Sequence, residues 1–355
     1  MKTLDRPAVA AESASMGAPS YTRRLRWGRR LISVLLIVAG ILSFTYLAAS
    51  AFVAEQLVYR APTPIHNTPA KFGLRFAYVS FPSREDRLTL NGWFIPGILP
   101  NGRLTSERTI VAVHGTWKNR EDTGDNLLQL TAELAKHGFA VLAFDMRGMG
   151  ESQPAPLSFG YFEQRDVLGA VDFLRSGDLP FPELGRPRVI GGLGISMGAA
   201  TLLMAASHEP AIRAVVSDSA YATVVPLIER DLSKYQVGII GHAPGVLAPS
   251  GLVLARLLYG IDFFAVRPVD SVKAVASRPL FLIHGATDDY VPVSNFDQLR
   301  AAAMSSPNAN VTTWLVPKAR HAQAYKVARN EYVSRVVGFF DNALGANSNV
   351  NGAAA

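Results

Sequence analysis

The sequence predicts an α/β fold, a mostly parallel sheet with helices on both faces, preceded by one N-terminal transmembrane helix and carrying an apolar cap insertion. Three observations lead there. From residue 109 onward short apolar runs alternate with helix-like stretches, the texture of repeated strand-helix units. Polar residues collect directly after those runs, where open sheets of this kind bind their ligands. A charge-free stretch of 23 residues, 31–53, follows a cluster of arginines near the start of the chain.

Residues 1–30 read as a basic cytoplasmic segment, holding +5 of the formal net charge of +7. The body is therefore close to neutral, which argues against a phosphate-binding surface and a nucleic-acid partner. As a helix, residues 31–53 would span about 34 Å, enough to cross a hydrocarbon core of about 30 Å. Five arginines between Arg23 and Arg30 keep the N-terminus cytoplasmic and send the body to the far, extracytoplasmic side. Secretion after cleavage is the alternative, since Ala49-Ser50-Ala51 has the small residues of a signal-peptide site. The apolar stretch exceeds the usual h-region, which favours a retained signal anchor.

Residues 54–74, with Pro62, Pro64 and Pro69, read as a linker into a catalytic body spanning 75–343. Residues 76–82 and 88–96 have the alternation of an antiparallel strand pair. Further strands are expected at 109–113, 140–144, 188–193, 213–217, 279–283 and 311–316. Helices are expected at 122–137, 161–175, 198–208, 293–304 and 322–343. The cap falls at about 221–270. Within it residues 237–255 carry no charge, yet two prolines and four glycines speak against a second membrane span. Leu252, Leu254, Leu257 and Leu258 would line either a covering helix or an acyl-accepting lid. Residues 344–355 read as a flexible tail.

The absence of cysteine excludes thiol catalysis and Cys-based zinc sites. No histidine pair has metal-ligand spacing and GGLGISMG lacks the ending of a phosphate loop, so neither metal nor cofactor is expected. What remains is a serine nucleophile. Ser196 sits in GISMG between a strand and a small-residue helix, the context in which a strained turn presents a hydroxyl. Seven histidines could serve as base, and His321 alone follows the last strand. Asp218 and the Asp288-Asp289 pair both lie at strand ends and could orient an imidazole. An oxyanion hole would take its first N–H from Met197, directly after the nucleophile, and its second from the loop VHGTW, from Thr116 with Trp117 the alternative.

The segments HGTWKNR, GFAVLAFDMRGMGES, GLGISMGAA, DSAYAT, RPLFLIHGATDDYVP and PKARH, in this order, resemble the α/β-hydrolase family, in particular its membrane-anchored esterase, thioesterase and acylglycerol lipase-like branch. The resemblance covers about residues 75–343. It implies the α/β-hydrolase fold, a triad of Ser196, Asp288 and His321, and an oxyanion hole at Met197 and Thr116. HGATDDYVP matches the family's H-G-x-x-D-x-x-V-P pattern at Asp288, leaving Asp218 in reserve. Asp145 and Arg147 look like the family's structural loop beneath the site. The expected activity is hydrolysis of a carboxylic ester or thioester of a small acyl substrate, lipids included, through an acyl-enzyme. A serine peptidase or amidase of the same fold and a non-catalytic membrane binding protein are the alternatives.

Overall fold

The computed structural model describes residues 20–233, 236–237, 241–242 and 245–345. Most of the basic N-terminal segment, part of the cap and nearly all of the expected tail lie outside the described residues. The chain divides into two compact units, Met1–Ala49 and Ser50–Ala355.

In the first unit the described residues belong to helix α1, Ser20–Val58, which continues into the second. The most apolar 18 residues within Arg26–Val58 have a mean hydropathy of 2.4, and that stretch is long and apolar enough to cross a membrane. Leu31, Leu36, Ile37 and Leu42 are each more than 60% exposed, which a core helix of a soluble domain would not tolerate.

In the second unit eight strands form one sheet. They are β1 (Ala77–Pro82), β2 (Thr89–Ile95), β3 (Arg108–Val113), β4 (Ala140–Phe144), β5 (Val189–Ile195), β6 (Ile212–Asp218), β7 (Leu280–Gly285) and β8 (Val311–Val316). Their spatial order is β1-β2-β4-β3-β5-β6-β7-β8. β2 runs antiparallel to β1 and β4, and every pairing from β4 to β8 is parallel. The central strands are buried along their whole length, and Val/Ile/Leu/Ala-rich β3 and β4 fit a sheet covered on both sides.

Two glycines of β5 show the two helical layers directly, because successive strand residues point to opposite faces. A Cβ on Gly191 would stand 3.0 Å from Phe340, on helix α10. A Cβ on its neighbour Gly192 would stand 2.7 Å from Leu202, on helix α4. Helices α2 (Leu127–Lys136) and α10 (Arg329–Leu344) pack together on the first face. Helices α3 (Glu163–Ser176), α4 (Met197–His208), α7 (Pro268–Val275) and α8 (Val293–Met304) pack side by side on the second. The cap supplies α5 (Val225–Ser233) and α6 (Leu247–Tyr259), and a short α9 (Ala324–Val327) precedes α10.

Three stretches differ from the sequence pattern. Residues 54–58, expected as linker, complete α1, with Ala54 and Val58 almost fully buried; a 3₁₀ turn, Pro69–Phe72, follows. Buried and cavity-facing positions recur there at helical spacing, a signal that the nearby prolines obscured. Helix α2 starts at Leu127 rather than 122, because Asn119, Glu121 and Asp122 are tied into a polar loop. On α6, Leu252 packs inward whereas Leu257 and Leu258 are 73% and 58% exposed, and none of the four cap leucines lines the cavity described below.

Candidate active site

Ser196 stands between the end of β5 and the start of α4, at φ 55° and ψ −120°. That positive φ is unusual for a residue with a side chain and is held by its surroundings. Its N–H donates to the Asp218 carbonyl at 2.8 Å. A Cβ on Gly198 would lie 2.3 Å from the Val113 carbonyl oxygen, and one on Gly194 2.5 Å from that of Gly198. Only glycine lets the turn come this close to β3. Met197 opens α4, so its N–H has no acceptor within the helix and lies at the positive end of the helix dipole.

His321 follows β8, and its Nε2 is 2.8 Å from Ser196 Oγ. Its Nδ1 is 2.8 Å from Asp288 Oδ2. A carboxylate accepts only, so Nδ1 carries the proton and Nε2 is free to accept from the serine hydroxyl. Asp288 is fixed from its other oxygen: Oδ1 accepts the N–H groups of Tyr290 and Val291 at 3.0 and 2.8 Å. The Tyr290 ring packs 4.9 Å from the imidazole. These contacts leave the imidazole little rotational freedom.

Asp218 is outside this chain of hydrogen bonds. Its Oδ1 accepts from Ser219 Oγ at 2.9 Å and its Oδ2 from the Tyr332 hydroxyl at 3.0 Å. Burial raises its carboxyl to about 6, against the pull of those two donors. A carboxyl raised on folding stabilises most when protonated, and that contribution is lost as the pH rises through about 6. Asp218→Asn, which cannot ionise, should therefore gain on the wild type by on the order of 2 to 3 kcal/mol between about pH 4 and pH 7. Melting temperatures of both proteins across that range check this; a constant difference would contradict it.

Two other strand-end histidines are packed beneath the site. His114 accepts the Met146 N–H at Nε2 and donates from Nδ1 to the Gly115 carbonyl, and burial lowers its pKa. His284 donates to the Val291 carbonyl at 2.9 Å and is likewise lowered by burial. Asp145 is buried against the Arg120 guanidinium, while Arg147 makes a forked pair with Asp166. Asp289 pairs with Arg320 at the surface.

Ser196 opens onto a cavity of about 220 Å³. Thr116 and Trp117 line it from the loop after β3, with Trp117 at φ 57°. Val224, Leu227, Ile228 and Leu232 line it from the cap, and Tyr221 and Tyr290 from the sheet edge. A further wall, absent from the sequence expectations, comes from Phe52, Val53, Gln56 and Leu57, with Arg60, Phe159 and Asp231 completing the lining. Asp125 was equally inconspicuous. Its Oδ2 lies 3.3 Å from where a Gly115 Cβ would be, and burial, with Asp122 beside it, raises it to about 7.

Comparison with known proteins agrees with this architecture. The model of the alpha/beta hydrolase family matches residues 110–333, and the chain belongs to that family. It is 28% identical over 239 residues to an uncharacterised Bacillus subtilis (strain 168) protein, YqkD, covering 66% of this chain and 71% of that one. It is 28% identical over 200 residues to the lysophosphatidylserine lipase ABHD12 of Xenopus tropicalis, covering 53% and 45% respectively. Among solved structures, the Pyrococcus furiosus esterase Pf2001 superposes with a TM-score of 0.63 at 26% identity, covering 81% of this chain and all of that one. The protein is thus a hydrolase with esterase-like and lipase-like relatives.

Proposed function

We propose that the protein is a membrane-anchored serine hydrolase that cleaves a carboxylic ester or thioester of an acyl substrate through an acyl-enzyme. The observation that carries this is the continuous hydrogen-bond chain from Ser196 Oγ through both nitrogens of His321 to Asp288, opening onto a largely apolar cavity. Ser196 Oγ attacks the acyl carbon while its proton passes to His321 Nε2. The N–H of Met197 and one from the loop after β3, that of Thr116, receive the developing oxyanion; each such donor is worth about 2.7 to 4 kcal/mol of barrier. Asp288 orients the imidazole and stabilises its charged form. When the tetrahedral adduct collapses, His321 returns the proton to the leaving alcohol or thiol, and the acyl group stays on Ser196. Water, deprotonated by His321, then adds to the acyl carbon; the acid leaves and the proton returns to Ser196.

The apolar cavity favours an acyl group over a peptide, and the lipase-like and esterase-like relatives point the same way. Retention of the apolar helix is supported by Ser50, which is fully buried with its Oγ 2.8 Å from Ser250 Oγ. Processing at Ala49-Ser50-Ala51 would cut within α1 and remove or expose that residue. The arginines ahead of the helix support a cytoplasmic N-terminus and an extracytoplasmic body.

Turnover of matched p-nitrophenyl esters and aminoacyl p-nitroanilides tests the reaction class. Ester kcat/KM should exceed that for the anilide by at least about a hundredfold. Preferential anilide cleavage would make the protein a peptidase, and no turnover of either would remove the enzymatic reading.

A further inference from the structure

The geometry points to the last turns of helix α1, Ser50–Val58, as one wall of the acyl site, so that the helix bearing the apolar stretch also sets acyl-chain selectivity. This rests on the reading of Ser196 as an acyl-transferring nucleophile.

The segment belongs to the same compact unit as Ser196. Val53 and Leu57, one helical turn apart, share the cavity with Ser196, and Phe52 and Gln56 do the same one position earlier. Phe52 is 47% exposed and lies at the cavity's rim, whereas Val53 is 4% exposed and lies inside. Phe52 and Val53 also lie within the charge-free run, which Glu55 closes, so the apolar stretch and the cavity wall share these residues.

The segment is held rather than leaning loosely on the body. Ser50 meets Ser250 on α6, and Val53 Cγ1 would be 3.2 Å from a Cβ on Gly251, so the two helices pack closely where they cross. The Leu157 N–H donates to the Val58 carbonyl at 2.9 Å, and the rings of Tyr59 and Tyr259 meet edge to face at 5.7 Å. The Arg60 guanidinium lies 4.9 Å over the ring of Trp117, joining the end of the segment to the loop beside the nucleophile. α6 thus acts through α1: its small residue and serine seat the wall, and α1 and α5 face the substrate.

The occupant that fits is the hydrocarbon chain of an ester whose carbonyl reaches Ser196. Most side chains facing the cavity are aliphatic or aromatic, with Gln56, Arg60, Thr116 and Asp231 the polar exceptions beside Ser196, and an extended chain needs no hydrogen bonds from the apolar ones. Chain length is then discriminated by the volume left between α1 and the α5 residues Leu227, Ile228 and Leu232.

The full chain in detergent micelles tests this with p-nitrophenyl butyrate and p-nitrophenyl laurate. Val53→Trp, which fills the cavity, should lower the laurate-to-butyrate ratio of kcat/KM by about tenfold or more. Leu57→Ala, which enlarges it, should raise that ratio, and decides alone if Val53→Trp fails to fold against Gly251. Ratios within about twofold of wild type in the folded variants would overturn the assignment while leaving the hydrolase reading intact. A wild-type protein that cleaves neither ester would instead overturn the hydrolase reading on which the assignment rests.

Discussion

Ser196→Ala should abolish ester hydrolysis, lowering kcat by roughly 10⁴- to 10⁶-fold while the fold persists. The size follows from the way the site acts as a unit: without Oγ there is nothing for His321 to deprotonate, and only oxyanion stabilisation and binding remain. Stability should change little, since an alanine Cβ takes the place of the serine Cβ already accommodated at φ 55°. The 2.8 Å contact to His321 is lost, but the imidazole keeps its contact with Asp288. Initial rates and the melting temperature of both proteins check this. A fluorophosphonate probe should label the wild type and leave the variant untouched; labelling of the variant at another serine would relocate the nucleophile.

Asp288→Asn should lower kcat by about 10⁴-fold, with KM little changed. The asparagine oxygen can keep the N–H groups of Tyr290 and Val291, which places the amide nitrogen against His321 Nδ1. Nδ1 must then accept, so the proton moves to Nε2 and faces Ser196. An imidazole in that tautomer cannot take the serine proton. Asp218→Asn should keep kcat within about tenfold of wild type, because Asp218 is engaged by Ser219 and Tyr332 rather than His321. Measuring kcat for both variants separates the two carboxylates; a larger loss at Asp218 would reverse the assignment.

Much of this arrangement was legible in the sequence because the fold writes it locally. Apolar runs bounded by turns gave the parallel strands, and GISMG between a strand and a small-residue helix marked the turn at Ser196. His321 and Asp288 each follow a strand, where topology alone brings side chains together. What stayed hidden depends on long-range packing. Strand-end position alone did not separate Asp288 from Asp218, and the family pattern favoured Asp288; the contact that occupies Asp218 comes from Tyr332, over a hundred residues away in sequence. The wall formed by Val53 and Leu57 was hidden for a similar reason, since a helix next to a proline-containing segment shows no sign of what it will pack against. On α6 the sequence showed an apolar helix but not which side of it is covered: Leu252 is buried and Leu257 is not.

The central claim, that an acyl group passes through Ser196, is tested most directly by trapping the intermediate. The full-length protein is mixed with a p-nitrophenyl ester, quenched in acid at the earliest accessible times, digested and analysed by mass spectrometry. The account predicts an acyl adduct on the peptide containing Ser196, formed with a burst of p-nitrophenol equal to the enzyme present. It also predicts that the adduct is absent from Ser196→Ala. Ester turnover with no adduct at Ser196, or an adduct that persists in the variant, would contradict it.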